Sequence, residues 1–258
     1  MKVQRFALAV VLGVVTPAFG QSFNVDVGNP DSPYGVPSDL YAAGAGQPGT
    51  WNAVNASAVN VPLSDLSGAA TGVTLTNIGG LLNLSFNNAG TFGGDQALMD
   101  DYQDVGGEGS LATWTFSGLA NGSYTAYTYA WAPDDDEFIS VVTVPGSPDP
   151  SQLIGGDWPG GQVQGITYAL HTVDVVDGSL AVMVGASVSF GTVNGFQLVG
   201  GMGEPCPWDL DGSGTVDVLD LLFLLSEWGN KGVPADFDGG GVGITDLLIL
   251  LANWGACP

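Results

Sequence analysis

Two stretches near the end of the chain, "WDLDGSGTVDVLDLLFLLSEWG" and "ADFDGGGVGITDLLILLANWG", align as an internal repeat. Each opens with an acidic, glycine-rich loop, continues into a leucine-rich run and stops at Trp-Gly. Such a repeat constrains the fold sharply, because each copy is one supersecondary unit that needs its neighbour to bury an apolar face. The runs carry good helix formers, and Gly229 and Gly255 are C-terminal stops. Each copy therefore reads as a loop followed by one helix.

The first loop has the spacing of a cation cage. Counting from Asp209 as position one, Asp211 is third, Ser213 fifth, Gly214 sixth, Thr215 seventh, Asp217 ninth and Asp220 twelfth. An EF-hand loop uses these positions to offer calcium about 6 to 8 oxygens, with a glycine at the sharp turn. Thr215 would supply its carbonyl, and Asp217 would act directly or through water. Asp220 stands where Glu is usual. Without a cation the loop crowds its carboxylates together at a cost in repulsion. The second loop has Asp236, Asp238 and Gly241 at positions one, three and six, but Gly240 brings no side-chain oxygen to position five. Asp246 falls at eleven because this loop is one residue shorter. One strong calcium site and a weaker or absent second one are expected.

Loop plus helix, duplicated and without an entering helix, resembles the type I dockerin family over about 206–257. The resemblance implies a calcium-dependent folding module that docks onto a cohesin-like partner and attaches carbohydrate-active proteins to larger assemblies. Calcium ligation carries over to Asp209, Asp211, Ser213, Thr215, Asp217 and Asp220, and in part to Asp236, Asp238 and Asp246. Partner recognition carries over less directly. The family uses polar residues at loop positions ten and eleven, where this chain has Val218 and Leu219, then Ile244 and Thr245. The runs "LLFLL" and "LLILL" are apolar nearly all round, so each helix is expected to bury more than one face, against its twin, the rest of the chain or a partner.

The chain begins Met1-Lys2-Val3-Gln4-Arg5, runs through "FALAVVLGVV" and reaches Ala18-Phe19-Gly20. A basic start, a short apolar core and small residues at the exit describe a secretory signal peptide over 1–20. The run is too short for a membrane span, which needs about 20 residues. Beyond this leader one cation, Lys231, faces all 26 acids, a balance that argues against nucleic acid and anionic lipid as partners. Cys206 and Cys257 bracket the repeats. In an exported protein two cysteines are more often paired than free, and this pair would staple the tail's ends.

Residues 21–200 read differently. "GVTLTNI", "LLNLSF", "LATWTFSG", "GSYTAYTYAW", "EFISVVTV", "TYALHTVDVV", "SLAVMV" and "VNGFQLV" are short β-rich runs punctuated by Gly, Asn, Asp or Pro. In "GSYTAYTYAW", Tyr127, Tyr129 and Trp131 share one face while Tyr124, Ala126 and Thr128 share the other. Asn121-Gly122 and Asp177-Gly178 are hairpin-type turn pairs. The expected fold is a mainly β, jelly-roll-type sandwich, with a barrel as the alternative, joined by a linker at 201–205 to a small all-α domain over 206–258.

"LANGSYTAYTYAW", "GTVNGFQLV" and "YAAGAGQPGTWNAV" resemble the galactose-binding-like and malectin-like jelly rolls of carbohydrate-binding modules, which implies a polysaccharide or glycan ligand. Sugar sites combine aromatic platforms with amides and carboxylates. The candidates are Trp51 with Asn52, Trp131 with Asp134, Asp135 and Asp136, and Trp158 in "GGDWPGG". Trp114, mid-strand, is expected in the core. "PDDDEF" is either a solvated loop or a structural calcium site. The lone histidine, His171, supports neither a zinc hydrolase nor a Ser-His-Asp site. Asp100, Asp101, Asp104 and Glu108 keep carboxylate-based glycoside hydrolysis open. A small β domain more often binds than cuts, so a secreted glycan-binding protein with a docking tail is the leading expectation. A small glycoside hydrolase or lyase with the same tail, or a non-catalytic surface protein, are the alternatives.

Overall fold

The computed structural model describes residues 21–28, 32–200, 206–211 and 215–256. The expected leader and linker, Ser213 and Cys257 lie outside them. The described residues fall into two compact units, 21–200 and 206–256.

The first unit is built in chain order from β1 (Phe23–Val27), β2 (Trp51–Val54), β3 (Val61–Ser64), β4 (Ala70–Gly79), β5 (Asn83–Ser85), α1 (Gly94–Met99), β6 (Asp101–Gly107) and β7 (Leu111–Ser117). It continues through β8 (Gly122–Tyr129), β9 (Ile139–Thr143), β10 (Ser151–Gly155), β11 (Tyr168–Val175), β12 (Ser179–Val188), β13 (Phe190–Val193) and β14 (Gly195–Gly200). Among the described residues, one sheet has the order β11-β8-β14-β1-β2 and a second the order β10-β9-β12-β7-β4-β3, with a smaller sheet β13-β6-β5. The pairings are antiparallel except β1 with β2, which run parallel. The two large sheets face each other across one core, to which Phe23, Val25, Tyr124, Ala126 and Phe196 come from the first and Leu75, Trp114, Phe116 and Val182 from the second. This is the jelly-roll-type sandwich that the alternating runs predict.

β8 shows how period-two patterning becomes architecture. Tyr124 and Ala126 point into the core between the sheets. Tyr127, Tyr129 and Trp131, on the opposite face, join Trp51, Leu98 and Met99 in a second apolar cluster outside it. The strand is therefore buried on both sides, and its two faces support different parts of the molecule. Across the main core, Trp114 meets Phe196 at 5.6 Å between ring centroids, and Phe116 meets the same ring edge-on at 5.8 Å. Trp114 Nε1 donates to Gln103 Oε1 at 3.0 Å, so the indole is buried without leaving its donor unpaired.

Two turn assignments need correction. Asn121-Gly122 and Asp177-Gly178 do not close hairpins: the first joins β7 to β8 and the second β11 to β12, each pair lying in different sheets. The turns bond to each other instead. Gly118 N and Leu119 N donate to Gly178 O, and Gly178 N donates to Asn121 Oδ1 at 3.1 Å. The positive φ of Gly178 suits a turn of either kind, so a Gly-containing pair signals a reversal without saying which sheet the chain enters next.

In the second unit β15 (Thr215–Val216) pairs with β16 (Gly255–Ala256), bringing the end of the second repeat back to the first loop. α2 (Val218–Ser226) and α3 (Ile244–Ala252) bury Leu224 and Leu250 in a small core with Val216, Ala235 and Val242. Within this unit each helix buries one stripe. Leu222, Phe223, Leu225, Leu248, Leu251, Trp228 and Trp254 are exposed, because 9-residue helices around so small a core have only about one heptad position per turn to hide.

Truncating the buried Trp114 to Ala is expected to lower unfolding free energy by about 3–5 kcal/mol in denaturant titrations; a loss below 1 kcal/mol would show that the ring does not bridge the sheets. His171 lies on β11 and is almost fully buried, and burial holds its imidazole below the ordinary value of 6.5, against an opposing pull from Asp149. A depressed folded value means that the unfolded chain takes up the proton first, so this contribution to stability is present above pH 6.5 and lost as pH falls below it. Urea unfolding of the parent is therefore expected to weaken more between pH 7.5 and 5.5 than that of His171→Gln, and equal losses would contradict the assignment.

Candidate functional site

The second apolar cluster carries a hollow at its margin. Trp131 lies two residues beyond the end of β8, and its backbone N–H donates to Asn194 Oδ1 at 2.8 Å while its indole N–H donates to Gly156 O at 2.7 Å. These bonds fix the ring and tether the loop after β10. Trp158, on that loop, packs against Trp131 with centroids 4.9 Å apart and planes at 53°. Gly90 lies close to Trp158, where a methyl group would approach Cδ1 to 2.9 Å. Around the two indoles, Asn88, Asp134, Asp135, Asp136 and Asp157 line a cavity of about 290 Å³.

The polar rim is held mostly by itself. Asn88 Nδ2 donates to Pro133 O at 2.8 Å and its Oδ1 accepts from Gly90 N, which joins the loop before α1 to the acidic loop. Asp135 Oδ1 accepts from Glu137 N at 2.9 Å. Burial, together with the nearby Asp134 carboxylate, raises the Tyr102 phenol above its ordinary value. Asp134, Asp136 and Asp157 are solvent-exposed. The hollow thus presents a half-exposed indole and several acceptor oxygens, with no side-chain cation. Its chemistry suits a partner rich in hydroxyl donors with an apolar face.

The structure therefore brings Trp131, Trp158 and Asp134–Asp136 into one place, but not Trp51. Trp51 is 6% exposed, stacks on Tyr41 at 5.9 Å and donates from Nε1 to Tyr41 O. It supports the cluster from beneath. Trp131, at 2% exposure, backs Trp158 and offers no free face of its own. Asn52 bonds Asn24 O and Ser64 O and serves the β1–β2–β3 junction. Asn88 and Asp157 were missed by sequence reasoning; Asp157 adjoins Trp158 and was available as a signal, whereas Asn88 reaches the hollow through the fold. Of the acids considered for glycoside hydrolysis, Asp100 is buried and held by Thr91 Oγ1 at 2.6 Å and Asn88 N at 3.2 Å. Asp104 caps the turn at Gly106, and Glu108 is exposed.

The tail presents two acidic triads, Asp209, Asp211 and Asp220, and Asp236, Asp238 and Asp246, each with a carboxylate oxygen from every member within 4.8 Å of the others. Either triad can hold a metal ion. Asp220 is fully buried: Oδ1 accepts from Leu210 N at 2.6 Å and Asp211 N at 3.1 Å, and Oδ2 accepts from Asp217 N at 2.8 Å. Asp246 repeats the pattern with Phe237 N at 2.7 Å, Asp238 N at 3.4 Å and Gly243 N at 2.8 Å. The missing residue in the second loop therefore leaves its inner carboxylate in an equivalent place. Asp217 caps α2 through Leu219 N at 2.7 Å and stands outside the triad, an arrangement compatible with its reaching a cation through water. Backbone N–H groups of Gly232 and Gly241 hold Asp236 below the usual carboxylate range. Ser213 lies outside the described residues, as does the Thr215 side chain.

No family model and no curated protein matches the chain. Among solved structures it is similar to Bacteroides uniformis beta-glucuronidase 2, at 13% identity and a TM-score of 0.42, over 70% of this chain and 18% of that one. The chain thus spans less than a fifth of the glucuronidase. It is also similar to a family 35 carbohydrate binding module from Clostridium thermocellum, at 18% identity and a TM-score of 0.30, over 49% of this chain and 92% of the module. A CBM35 from Cellvibrio japonicus matches at 15% identity and a TM-score of 0.28, over 50% of this chain and 95% of that one.

Proposed function

We propose that the chain is an exported, non-catalytic glycan-binding protein whose β-sandwich takes the ligand at the Trp158 hollow and whose tail is a dockerin-like calcium module. The carrying observation is the Trp131–Trp158 pair set among exposed carboxylates. Trp158 supplies an apolar face for a sugar ring, and Asp134, Asp136 and Asp157 accept its hydroxyl protons. A rim of negative charge without Lys or Arg repels uronates and sulfated sugars, so the ligand class is a neutral polysaccharide. Trp51 and Trp131 contribute by fixing the platform.

In the tail, Asp209, Asp211 and Asp220 with Ser213, the Thr215 carbonyl and Asp217 would hold one calcium ion, and Asp236, Asp238 and Asp246 a second, weaker one. The donor set is oxygen throughout, which suits a hard cation. One calcium would offset two of the three negative charges of each triad and so hold each loop against its helix. The exposed apolar residues of α2 and α3 form the surface for a cohesin-like protein partner. Cys206 packs in the tail core, and the β15–β16 pairing returns the chain end toward the first loop, which supports a Cys206–Cys257 bridge. No helix among the described residues is long and apolar enough to cross a membrane.

Affinity electrophoresis against neutral and anionic polysaccharides is expected to show retardation by a neutral one, weakened at least about tenfold, equivalent to about 1.4 kcal/mol, in Trp158→Ala. Retention unchanged by that substitution, or reducing ends released during the assay, would defeat the reading. Calorimetric titration of the full chain with calcium is expected to lose its strongest site in Asp220→Ala, and a titration identical to the parent's would remove calcium from the first loop.

A further inference from the structure

Tyr41, Asp95 and Gln162 come from three separate parts of the β unit and meet in one half-buried cluster. None of them lines the hollow at Trp158. Tyr41 lies on the loop between β1 and β2, Asp95 in the first turn of α1, and Gln162 on the loop between β10 and β11. The Tyr41 hydroxyl donates to Asp95 Oδ1 at 2.5 Å. Gln162 Nε2 donates to the same Asp95 oxygen at 2.8 Å and to the Tyr41 hydroxyl at 3.1 Å. Tyr41 is itself anchored. Its ring stacks on Trp51, its carbonyl accepts from the Trp51 indole, and a methyl group on Gly94 would collide with its ring.

Gln162 matters because its loop also carries Trp158. That loop is fixed at its start, where Gly156 O accepts from the Trp131 indole. It is fixed at its end, where Val163 N donates to Thr167 Oγ1 and Thr167 N donates to Val163 O. Between these points, the Gln162 side chain makes the only hydrogen bonds of residues 157–162 among the described residues. At Gly160 and Gly161 the backbone borders open space, where a methyl group would meet nothing within 4 Å. Gln162 Oε1 is buried with no partner among the described residues, so the amide is held through its N–H groups alone. The Trp158 ring on Trp131 is a second restraint, but apolar contact has no direction, whereas the hydrogen bonds of Gln162 fix distance and angle.

A span held only at its ends keeps much of its conformational freedom. A ligand that needs Trp158 in place binds more weakly in proportion to the time the ring spends elsewhere. Whatever pins the span therefore sets affinity without touching the ligand. We propose that Tyr41, Asp95 and Gln162 form a latch on the Trp158 loop, with Asp95 and Gln162 as positioning residues for the glycan site. The effect on affinity rests on the glycan reading, whereas the effect on the loop rests on the hydrogen bonds alone.

The test compares the full chain with its Asp95→Ala, Asp95→Asn and Gln162→Glu variants. Asn keeps the oxygen acceptor at position 95, and Glu keeps the shape of Gln162 while removing its N–H donors. Amide order parameters at Trp158 and Gly161, from nitrogen relaxation, are expected at about 0.85 in the parent and Asp95→Asn, and below about 0.6 in Asp95→Ala and Gln162→Glu. Affinity electrophoresis uses gels cast with galactomannan, xyloglucan or β-glucan, all neutral. Retardation of the parent is expected to weaken about fivefold in Asp95→Ala and Gln162→Glu and to stay within about twofold in Asp95→Asn. Equal order parameters in all the chains, or a loop as loose in Asp95→Asn as in Asp95→Ala, would overturn the latch. A loosened loop with unchanged retardation would overturn its positioning role. If no gel retards the parent, the glycan reading fails, and the order parameters still decide the latch. Should Asp95→Ala not fold, Gln162→Ala, on the loop itself, takes its place with the same expectations.

Discussion

Negative charge without a matching cation is the constraint on which this molecule is organised. Beyond residue 20, Lys231 is the one Lys or Arg among all the acids, so ion pairing there is almost closed as a means of holding a carboxylate in a folded structure. The structure uses other donors. Backbone amides take both oxygens of Asp220 and Asp246. Hydroxyls take Asp95 and Asp100, through Tyr41 and Thr91. Hydrogen bonds of this kind stabilise an ionised carboxylate but leave its net charge in place. Where several such groups converge, as in the tail triads, a cation is the economical complement.

The same constraint explains the separation of roles in the β unit. Its interior is apolar and closely packed, and most of its buried polar groups are neutral amides and hydroxyls. Asn24, Gln47 and Gln197 bond one another and the Tyr129 hydroxyl, which in turn accepts from Gly44 N at 2.7 Å. This network fixes the loop between β1 and β2 over the second apolar cluster. Most of its charge sits in loops, with Asp26, Asp100 and Asp101 the buried exceptions, and one of those loops meets an indole. A glycan suits that meeting because it brings hydroxyl donors to the carboxylates and an apolar face to Trp158 without adding negative charge.

Much of this was legible in the sequence because the relevant signals are local. Alternation in "GSYTAYTYAW" correctly separated the two faces of β8, and the spacing of Asp209, Asp211 and Asp220 foretold their convergence. The motifs "YAAGAGQPGTWNAV" and "GTVNGFQLV" looked characteristic, and they carry Gln47, Asn194 and Gln197, the amides that clamp the cluster. Nonlocal properties were not legible. β1, β2, β3, β6, β10 and β13 escaped because short strands such as "VPLS" and "FGTV" carry too few alternations to register. Burial of Trp51 depends on Tyr41 and Tyr129 from other elements. That Asp26 and Asp101 line one cavity arises only because β1 and β6 come together in the fold, and neither residue is marked by its neighbours in sequence.

Two units with different architectures thus share one electrostatic condition, carboxylates held by backbone amides and hydroxyls with almost no cationic side chain to pair with. The most direct measurement is thermal unfolding of the full chain in excess calcium and after exhaustive chelation, with bound metal counted by native mass spectrometry. The account predicts calcium bound to the native chain and a lower unfolding temperature once it is removed. A chain that carries no calcium and unfolds at the same temperature in both conditions would contradict it.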